Sequence, residues 1–224
     1  ARAARLGVAD APGLVADADL VLDCADSLAA TYVLSDACHA QGKPLVTASV
    51  LGLSGYVGAF CGGAPSYRAV FPDMPATVGS CAANGVLGTA VSVLGGLQAH
   101  MALQILLGLA PSPMGRLVSV DLRTLTFGGF AFLGAVEPDG PAIPFVARDS
   151  LAPGDLVIEL RGLEEAPQPV TSNALRLSHD QLDAVPAAKR VVLCCASGIR
   201  AHRAARLLAE RGVRDVAVLA LSLG

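Results

Sequence analysis

The sequence predicts an α/β protein built as two successive units. Short apolar runs, typical of buried strands, alternate along the chain with segments that have helical spacing. Of the 224 residues, 53% are hydrophobic and 4% are aromatic, so aliphatic side chains and alanine must fill a large core. A segment rich in proline and glycine at 136–144 interrupts this pattern, which then starts again.

The first predicted unit covers residues 1–134. Residues 18–24 (ADLVLDC) are typical of a short buried strand, and helical spacing follows over Leu28–Gln41 and ends at Gly42. The later elements are predicted strands at 44–49 and 55–60, a long loop at 62–80, a helix at 85–107 closed by Gly108, and strands at 116–121 and 126–133.

A linker at 135–141 separates this unit from a second one at 142–224. The second unit repeats the alternation on a smaller scale. Its predicted elements are strands at 155–160, 190–194 and 215–220, a short helix at 178–182 and a longer helix at 200–212.

Composition also excludes several classes of protein. A formal net charge of −3 argues against a dedicated nucleic-acid binder, which needs a basic surface. The mean hydropathy of +0.57 raises the question of a membrane, but glycine, serine or a charge interrupts every long apolar stretch. No apolar core of a signal peptide follows the first residues, and six scattered cysteines do not form a disulfide framework. We therefore expect a cytoplasmic protein that contacts neither nucleic acid nor membrane.

The sharpest chemical signal lies at 191–208 (VVLCCASGIRAHRAARLL), where a buried strand leads through small residues into a helix. Cys195 stands before the helix N-terminus, where backbone N–H groups and the helix dipole stabilise an anion. Gly198 permits a tight turn and Arg200 adds positive charge. This pattern predicts a thiolate nucleophile at Cys195, although a free cysteine is also a common buried residue. Cys194 ends the strand and is predicted to be such a core residue.

The same segment resembles the active-site loop of rhodanese-type sulfurtransferases, whose motif is Cys-x-x-Gly-x-Arg followed by an amphipathic helix. The resemblance implies that Cys195 carries a persulfide, cradled by the loop Ala196, Ser197, Gly198, Ile199 and Arg200. Phosphatases of the Cys-x5-Arg class need their arginine one position later, at Ala201. Upstream, Glu159-Leu160-Arg161 occupies the place of the usual Asp-x-Arg. The usual His-Ile-Pro-Gly-Ala segment is absent.

Four motifs in the first unit stand in a fixed order over more than a hundred residues. They are DLVLDCADS at 19–27, GKPLVTASVLGLSGYVGAF at 42–60, SYRAVFPD at 66–73 and SCAANGVLGTAVSVLGGLQAHMALQILLG at 80–108. This unit resembles the second half of the ThiF/MoeB/HesA adenylyltransferases, which activate ubiquitin-like sulfur carriers. The resemblance implies a partial Rossmann-like fold and a homodimer that uses ATP and Mg²⁺ to adenylate the carrier's C-terminal glycine.

The resemblance also implies roles for two residues. Asp26 matches the family aspartate that faces the ATP phosphates and Mg²⁺, and a carboxylate just beyond a parallel strand suits such a site. Helix capping alone would also explain this residue. Cys81 matches the cysteine that forms a covalent link during sulfur transfer, with a small buried residue as the alternative interpretation.

Two departures from the family pattern limit what it implies. Many members hold zinc with two Cys-x-x-Cys pairs; the first would fall at Ser66 and Ala69, and 136–140 offers no second pair, so we predict no zinc. No Gly-x-Gly-x-x-Gly fingerprint follows a first strand. The family's phosphate-binding loop, arginines and lysine precede the segment with which this sequence begins. We therefore expect that these residues alone do not complete the ATP chemistry.

These observations favour a fused adenylyltransferase and sulfurtransferase in thiamine or molybdopterin biosynthesis. Its partners would be a ubiquitin-like sulfur carrier and a sulfur donor such as a cysteine desulfurase or thiosulfate. A stand-alone thiosulfate-type sulfurtransferase and a non-catalytic module that docks a carrier remain as alternatives. Arg203 and Arg206 are predicted to form a basic rim beside the Cys195 loop, and His202 to be solvated. Cys24, Cys38 and Cys61 are predicted core residues.

Overall fold

The structure is a computed structural model that describes all residues except 2, 76–84, 141, 187 and 224. Its first part contains four helices and five strands among the described residues. These are α1 (Ala11–Ala16), β1 (Val21–Asp23), α2 (Leu28–Gln41), β2 (Pro44–Leu51), β3 (Ser54–Cys61), α3 (Tyr67–Val70), α4 (Gly88–Leu106), β4 (Arg116–Asp121) and β5 (Thr126–Ala131).

The second part is smaller and has a single α-helix among its described residues. Its elements are β6 (Leu156–Glu159), β7 (Leu175–Arg176), β8 (Val191–Cys195), α5 (Ile199–Glu210) and β9 (Val216–Ala220), with 3₁₀ turns at Arg148–Ser150 and His179–Ala184.

Each part has its own sheet. The first has the order β1-β2-β3-β4-β5, with β1 parallel to β2 and the other pairs antiparallel. The second has the order β7-β6-β8-β9 and is parallel throughout, so β8 is a central strand. Central parallel strands are covered on both faces, which agrees with the continuous apolar run of β8. The predicted α/β fold class is confirmed.

The structure adds elements that periodicity alone did not indicate. Helix α1 was not predicted, and it begins with a proline in its first turn, a position that tolerates this residue. Helix α3 lies inside the predicted loop at 62–80, where the Ser66 hydroxyl accepts the Ala69 amide and caps it. The strand predicted at 18–24 is shorter, since β1 ends at Asp23. The helix predicted at 178–182 is a 3₁₀ turn.

Helix α4 packs one face on β2 and β3 through residues spaced by about one helical turn. Its opposite face keeps large apolar side chains exposed, among them Val91, Leu103 and Leu106. Within the described part of the chain, α4 alone has the length and apolar composition of a membrane-crossing helix. This is weak evidence for a membrane, because a helix in the core of a water-soluble protein passes the same test.

The two parts share one apolar core. Phe145 packs against Tyr32 of α2 and His202 of α5, with ring centroids 6.5 Å and 6.4 Å apart. The backbone on either side of Phe145 also extends the second sheet, since Val146 N–H donates to Val218 and Val218 N–H donates to Pro144. The first residues of the predicted second unit therefore belong to the packing between the two parts.

Candidate functional site

The predicted nucleophile lies at the junction between β8 and α5. Cys195 is the last residue of β8 and is fully buried. The helix begins after Gly198, whose φ of +87° is in the left-handed region that glycine adopts most readily. This turn returns the third amide of the helix, Ala201 N–H, to the Cys195 Sγ at 3.4 Å. The sulfur therefore occupies the place of a helix-capping acceptor, close to the positive end of the α5 dipole.

Close packing surrounds the turn at Gly198. A Cβ atom there would lie 3.0 Å from the Ala220 Cβ and 3.1 Å from Phe145 Cε1. It would also lie 3.4 Å from the Cβ of Ala29, in the first turn of α2. The contact with Ala29 brings the Cys195 loop against the helix that follows Asp26. Two segments singled out separately in the sequence are thus neighbours.

Arg200 sits at the outer side of the loop. Its guanidinium donates to the Glu165 carboxylate at 2.5 Å and to the Leu160 carbonyl at 3.4 Å. The hydrogen bond to Glu165 is the main reason why the pKa of Arg200 lies above its usual value, and the nearby Cys195 contributes to the same shift. Arg200 is thus a permanent cation next to the sulfur, but one that already has a carboxylate partner. Glu165 was not among the residues predicted from the sequence.

The neighbouring thiol has a different environment. Cys194 points into a separate apolar cluster of the second sheet, where burial raises its pKa to about 12. A thiol with this pKa is protonated at neutral pH and is a poor nucleophile. This agrees with the prediction that Cys194 is a core residue.

A buried ion pair supports the strand beside β8. Glu159 is fully buried, and its carboxylate accepts two bonds from the Arg161 guanidinium, at 2.6 Å and 2.8 Å, and one from the Val170 amide. Burial alone would raise the pKa of Glu159, but these hydrogen bonds outweigh it and hold the pKa below its usual value. The pair thus fixes the end of β6, and the next carbonyl along, at Leu160, receives Arg200.

The end of β1 presents the second candidate site. Asp26 is exposed in the loop between β1 and α2, and the Ser27 hydroxyl caps the helix by accepting the Ala30 amide at 3.4 Å. Capping of α2 therefore falls to Ser27, so the alternative interpretation of Asp26 as the helix cap is not needed. Its role as a phosphate-facing or metal-binding carboxylate stays a prediction.

Sequence reasoning missed the network beneath this loop. Asp23 is 1% exposed, and its carboxylate accepts the hydroxyls of Thr31 at 2.6 Å and Thr47 at 2.8 Å. It also accepts the Ala25 amide at 3.0 Å, while Gln98 from α4 donates to the Asp23 carbonyl at 2.7 Å. An acidic residue inside an apolar strand pattern was the available signal. This network holds the loop that carries Asp26.

The first part of the chain contains four cysteines. Cys81 lies outside the described residues. Cys24 was predicted to be a core residue, and this was wrong: it is exposed, with its thiol 3.5 Å from the Gln98 side-chain oxygen. The reason is that β1 ends one residue earlier. Cys38 and Cys61 are buried, and burial raises their pKa values to about 12 and about 11.

A comparison with protein-family models identifies the first part. The model described as the ThiF family matches residues 1–138, more than half of the chain. The chain belongs to the ThiF family. This confirms the resemblance drawn from the motifs at 19–108.

Curated relatives of this ThiF-family chain carry the name adenylyltransferase and sulfurtransferase MOCS3. The protein from Bos taurus is 47% identical over 116 residues, which cover 50% of this chain and 26% of the relative. The protein from Drosophila grimshawi is 40% identical over 113 residues, covering 49% and 25%. The matches therefore span about a quarter of the length of these relatives.

Solved structures also resemble the chain, at low sequence identity. A structure of Escherichia coli MccB with ATP is 11% identical, with a TM-score of 0.45 over 61% of this chain and 43% of MccB. A structure of MccB with N-formylated MccA is 11% identical, with a TM-score of 0.48 over 61% of this chain and 45% of MccB.

At the position of the family's zinc-binding pair, this ThiF-family chain has a hydrogen-bonded contact. The Ser66 amide and hydroxyl donate to the two carboxylate oxygens of Glu137, at 2.7 Å and 2.5 Å. The side chains of Ser66 and Ala69, a hydroxyl and a methyl group, do not provide the thiolate ligands that such a zinc site requires. This contact instead connects Glu137, in the predicted linker, to the N-terminus of α3.

A cavity of about 660 Å³ lies beside this contact, between the two parts. His202 lines it but is only 2% exposed, so the expectation that His202 is solvated was wrong. It faces the first part of the chain rather than water. Burial, reinforced by the positive charge of Arg68, lowers the pKa of His202 to about 4. His202 is therefore neutral at physiological pH and serves the packing between the parts.

Proposed function

We propose that this chain acts in the activation of a ubiquitin-like sulfur carrier by C-terminal adenylation, coupled to sulfur transfer through a persulfide on Cys195. Membership of the ThiF family and the combined activities in the name of the MOCS3 relatives support the first step. The single observation that carries the second is the position of the Cys195 Sγ, 3.4 Å from an amide at the N-terminus of α5 and beside Arg200.

In the sulfur-transfer step, the Cys195 thiolate attacks the outer sulfur of a donor. A new S–S bond forms at Cys195, the old S–S bond of the donor breaks, and its electron pair leaves with the rest of the donor. The Ala201 amide and the Arg200 guanidinium stabilise negative charge on the attacking sulfur and then on the persulfide. Arg200 is assigned this role, and the loop residues Ala196, Ser197, Gly198 and Ile199 shape the space around the sulfur.

In the activation step, ATP with Mg²⁺ would convert the carrier's carboxylate into a reactive acyl adenylate. Asp26 fits this group, because its exposed carboxylate follows the end of a parallel strand and offers the oxygen ligands that Mg²⁺ prefers. The buried Asp23 network would hold the loop in place. Cys81 is proposed as a second thiol that links covalently to the carrier.

The proposal extends to partners and setting. The carrier belongs to thiamine or molybdopterin biosynthesis, and the donor is a cysteine desulfurase or thiosulfate. A homodimer is proposed because α4 and β5 leave large apolar side chains exposed, such as Leu106 and Phe127. The reducing cytoplasm is the proposed location, since a persulfide-forming thiol must stay out of disulfides.

The adjacent cysteines provide a matched test. The protein and its C195S and C194A variants are each treated with thiosulfate and with cysteamine persulfide, and bound sulfur is measured by intact mass and peptide mapping. We expect the unsubstituted protein and C194A to gain the mass of one sulfur atom at Cys195, and C195S to stay at background. No sulfur at Cys195 with either donor, together with retained binding of a ubiquitin-like carrier, would favour a docking module instead.

A further inference from the structure

Of the three arginines expected beside the Cys195 loop, Arg200 and Arg206 already have carboxylate partners. Arg200 pairs with Glu165 at 2.5 Å, with side-chain exposures of 48% and 38%. Arg206, predicted to form part of a basic rim, pairs with Asp73 at 3.0 Å and with Glu210 at 3.8 Å. The loop therefore has less positive potential than its arginines suggest in the sequence.

This arrangement affects donors that carry charge. Thiosulfate is a dianion, and to deliver its outer sulfur to Cys195 it must approach the guanidinium of Arg200. The Glu165 carboxylate already binds that guanidinium, and its negative charge repels a second anion that approaches the same place. A donor whose charges balance, such as a persulfide next to an ammonium group, meets no such net repulsion. Since the ion pair is partly exposed, water and salt screen the effect and keep it moderate.

We propose that Glu165 is a specificity-determining residue that disfavours small anionic sulfur donors at Cys195, through its ion pair with Arg200. The inference rests on the proposed sulfur transfer through Cys195. Glu165 does not touch the sulfur; it changes which donor Arg200 receives.

Atoms and electrons balance in the reaction of Cys195 with either donor. With thiosulfate, the Cys195 thiolate bonds to the outer sulfur, the S–S bond of thiosulfate breaks, and sulfite leaves with the electron pair. With cysteamine persulfide, the same attack breaks the S–S bond of the donor; the outer sulfur stays on Cys195 as a persulfide anion, and the cysteamine thiolate leaves with the electron pair. Neither reaction needs an external oxidant or reductant.

The test compares E165Q with E164Q, a matched control that removes the same charge from an exposed neighbour. For each protein, the second-order rate constant for loading Cys195 with sulfur is measured with thiosulfate and with cysteamine persulfide, at low and at high salt. For E165Q at low salt we expect this rate constant with thiosulfate to rise about three- to fivefold, mainly through tighter binding of the dianion. The gain should shrink in high salt. Loading from cysteamine persulfide should change less than twofold, and E164Q should resemble the unsubstituted protein.

The results separate this inference from the proposed function. If Cys195 loads with sulfur but E165Q leaves the thiosulfate reaction unchanged, Glu165 has no role in donor choice. An equal gain with both donors, or the same gain in E164Q, also overturns the inference. If neither donor loads Cys195 in the unsubstituted protein, the proposed sulfur transfer fails, and the role of Glu165 falls with it.

Discussion

The loop after β1 and the loop after β8 each join a parallel strand to a helix, and each satisfies the same helical amide from a side chain. In α2 the third amide, Ala30 N–H, donates to the Ser27 hydroxyl at 3.4 Å. In α5 the third amide, Ala201 N–H, donates to the Cys195 sulfur at the same distance. Serine is an ordinary helix cap, whereas a cysteine in this place gains a donor for negative charge.

The two loops also differ in what holds them. Hydrogen bonds hold the first, since buried Asp23 gathers two hydroxyls and an amide beneath Asp26. Backbone conformation and close packing hold the second, through the left-handed Gly198 against Phe145 and Ala220. A polar network beneath an exposed carboxylate suits a charged ligand. Apolar packing around a thiol suits a covalent intermediate that is kept away from water.

Removing the Asp23 carboxylate should have the largest effect on stability. D23A leaves the hydroxyls of Thr31 and Thr47 and the Ala25 amide without their acceptor, and we expect the free energy of unfolding to fall by about 3 kcal/mol. Urea denaturation measures this, with exposed Asp19→Ala as control. Equal stability of D23A and D19A would show that the first loop does not depend on this network.

Adding a methyl group to the second loop should have an intermediate effect. G198A forces alanine into a left-handed conformation and also crowds Phe145, whereas Gly212 has a similar φ of +91° with no neighbour near its Cβ position. G212A thus reports the backbone cost alone. We expect G198A to lose about 1–2 kcal/mol more than G212A in the same denaturation experiment. It should also load sulfur more slowly. If the two variants are equally stable, crowding does not shape the loop.

Removing the cap of α2 should have the smallest effect of the three. S27A takes away the acceptor of the Ala30 amide, and we expect a loss of about 1 kcal/mol in the free energy of unfolding. S27T, which keeps a hydroxyl, should recover most of it. If S27A is as stable as S27T, the Ser27 cap does not contribute to the free energy of unfolding.

Much of this molecule could be predicted because its signals are local. The helix at Leu28–Gln41, the strand predicted at 190–194, which the structure extends to Cys195, and the tight turn at Gly198 each follow from periodicity and from residues within a few positions. The candidate residues Cys195 and Arg200 were found in the same way, since they stand where a strand gives way to a helix, whereas Asp26 was singled out by the resemblance to the family. Motif order over 19–108 was enough to predict the ThiF family, which the family model confirms.

The errors share a cause, because each depends on where a segment ends or what it faces. Cys24 is exposed because β1 stops at Asp23, and no local pattern fixes a strand end to one residue. His202 is buried because its side of α5 packs against Tyr32 and Phe145, which lie far away in the sequence. Periodicity identifies a polar residue on a helix but does not say which other element will cover it.

By itself, the sequence determined the fold class, the family and the thiol at the start of α5, since these depend on local pattern and on ordered motifs. The tertiary structure alone decided that Glu165 neutralises Arg200, that Asp23 anchors the loop of Asp26, and that the Cys195 loop rests on α2. These contacts join residues distant along the chain, and their partners are chosen by packing and charge after the chain has folded. The candidate thiol at Cys195 was thus predictable from its neighbours, whereas the proposed effect of Glu165 on the choice of sulfur donor depends on contacts that only folding creates.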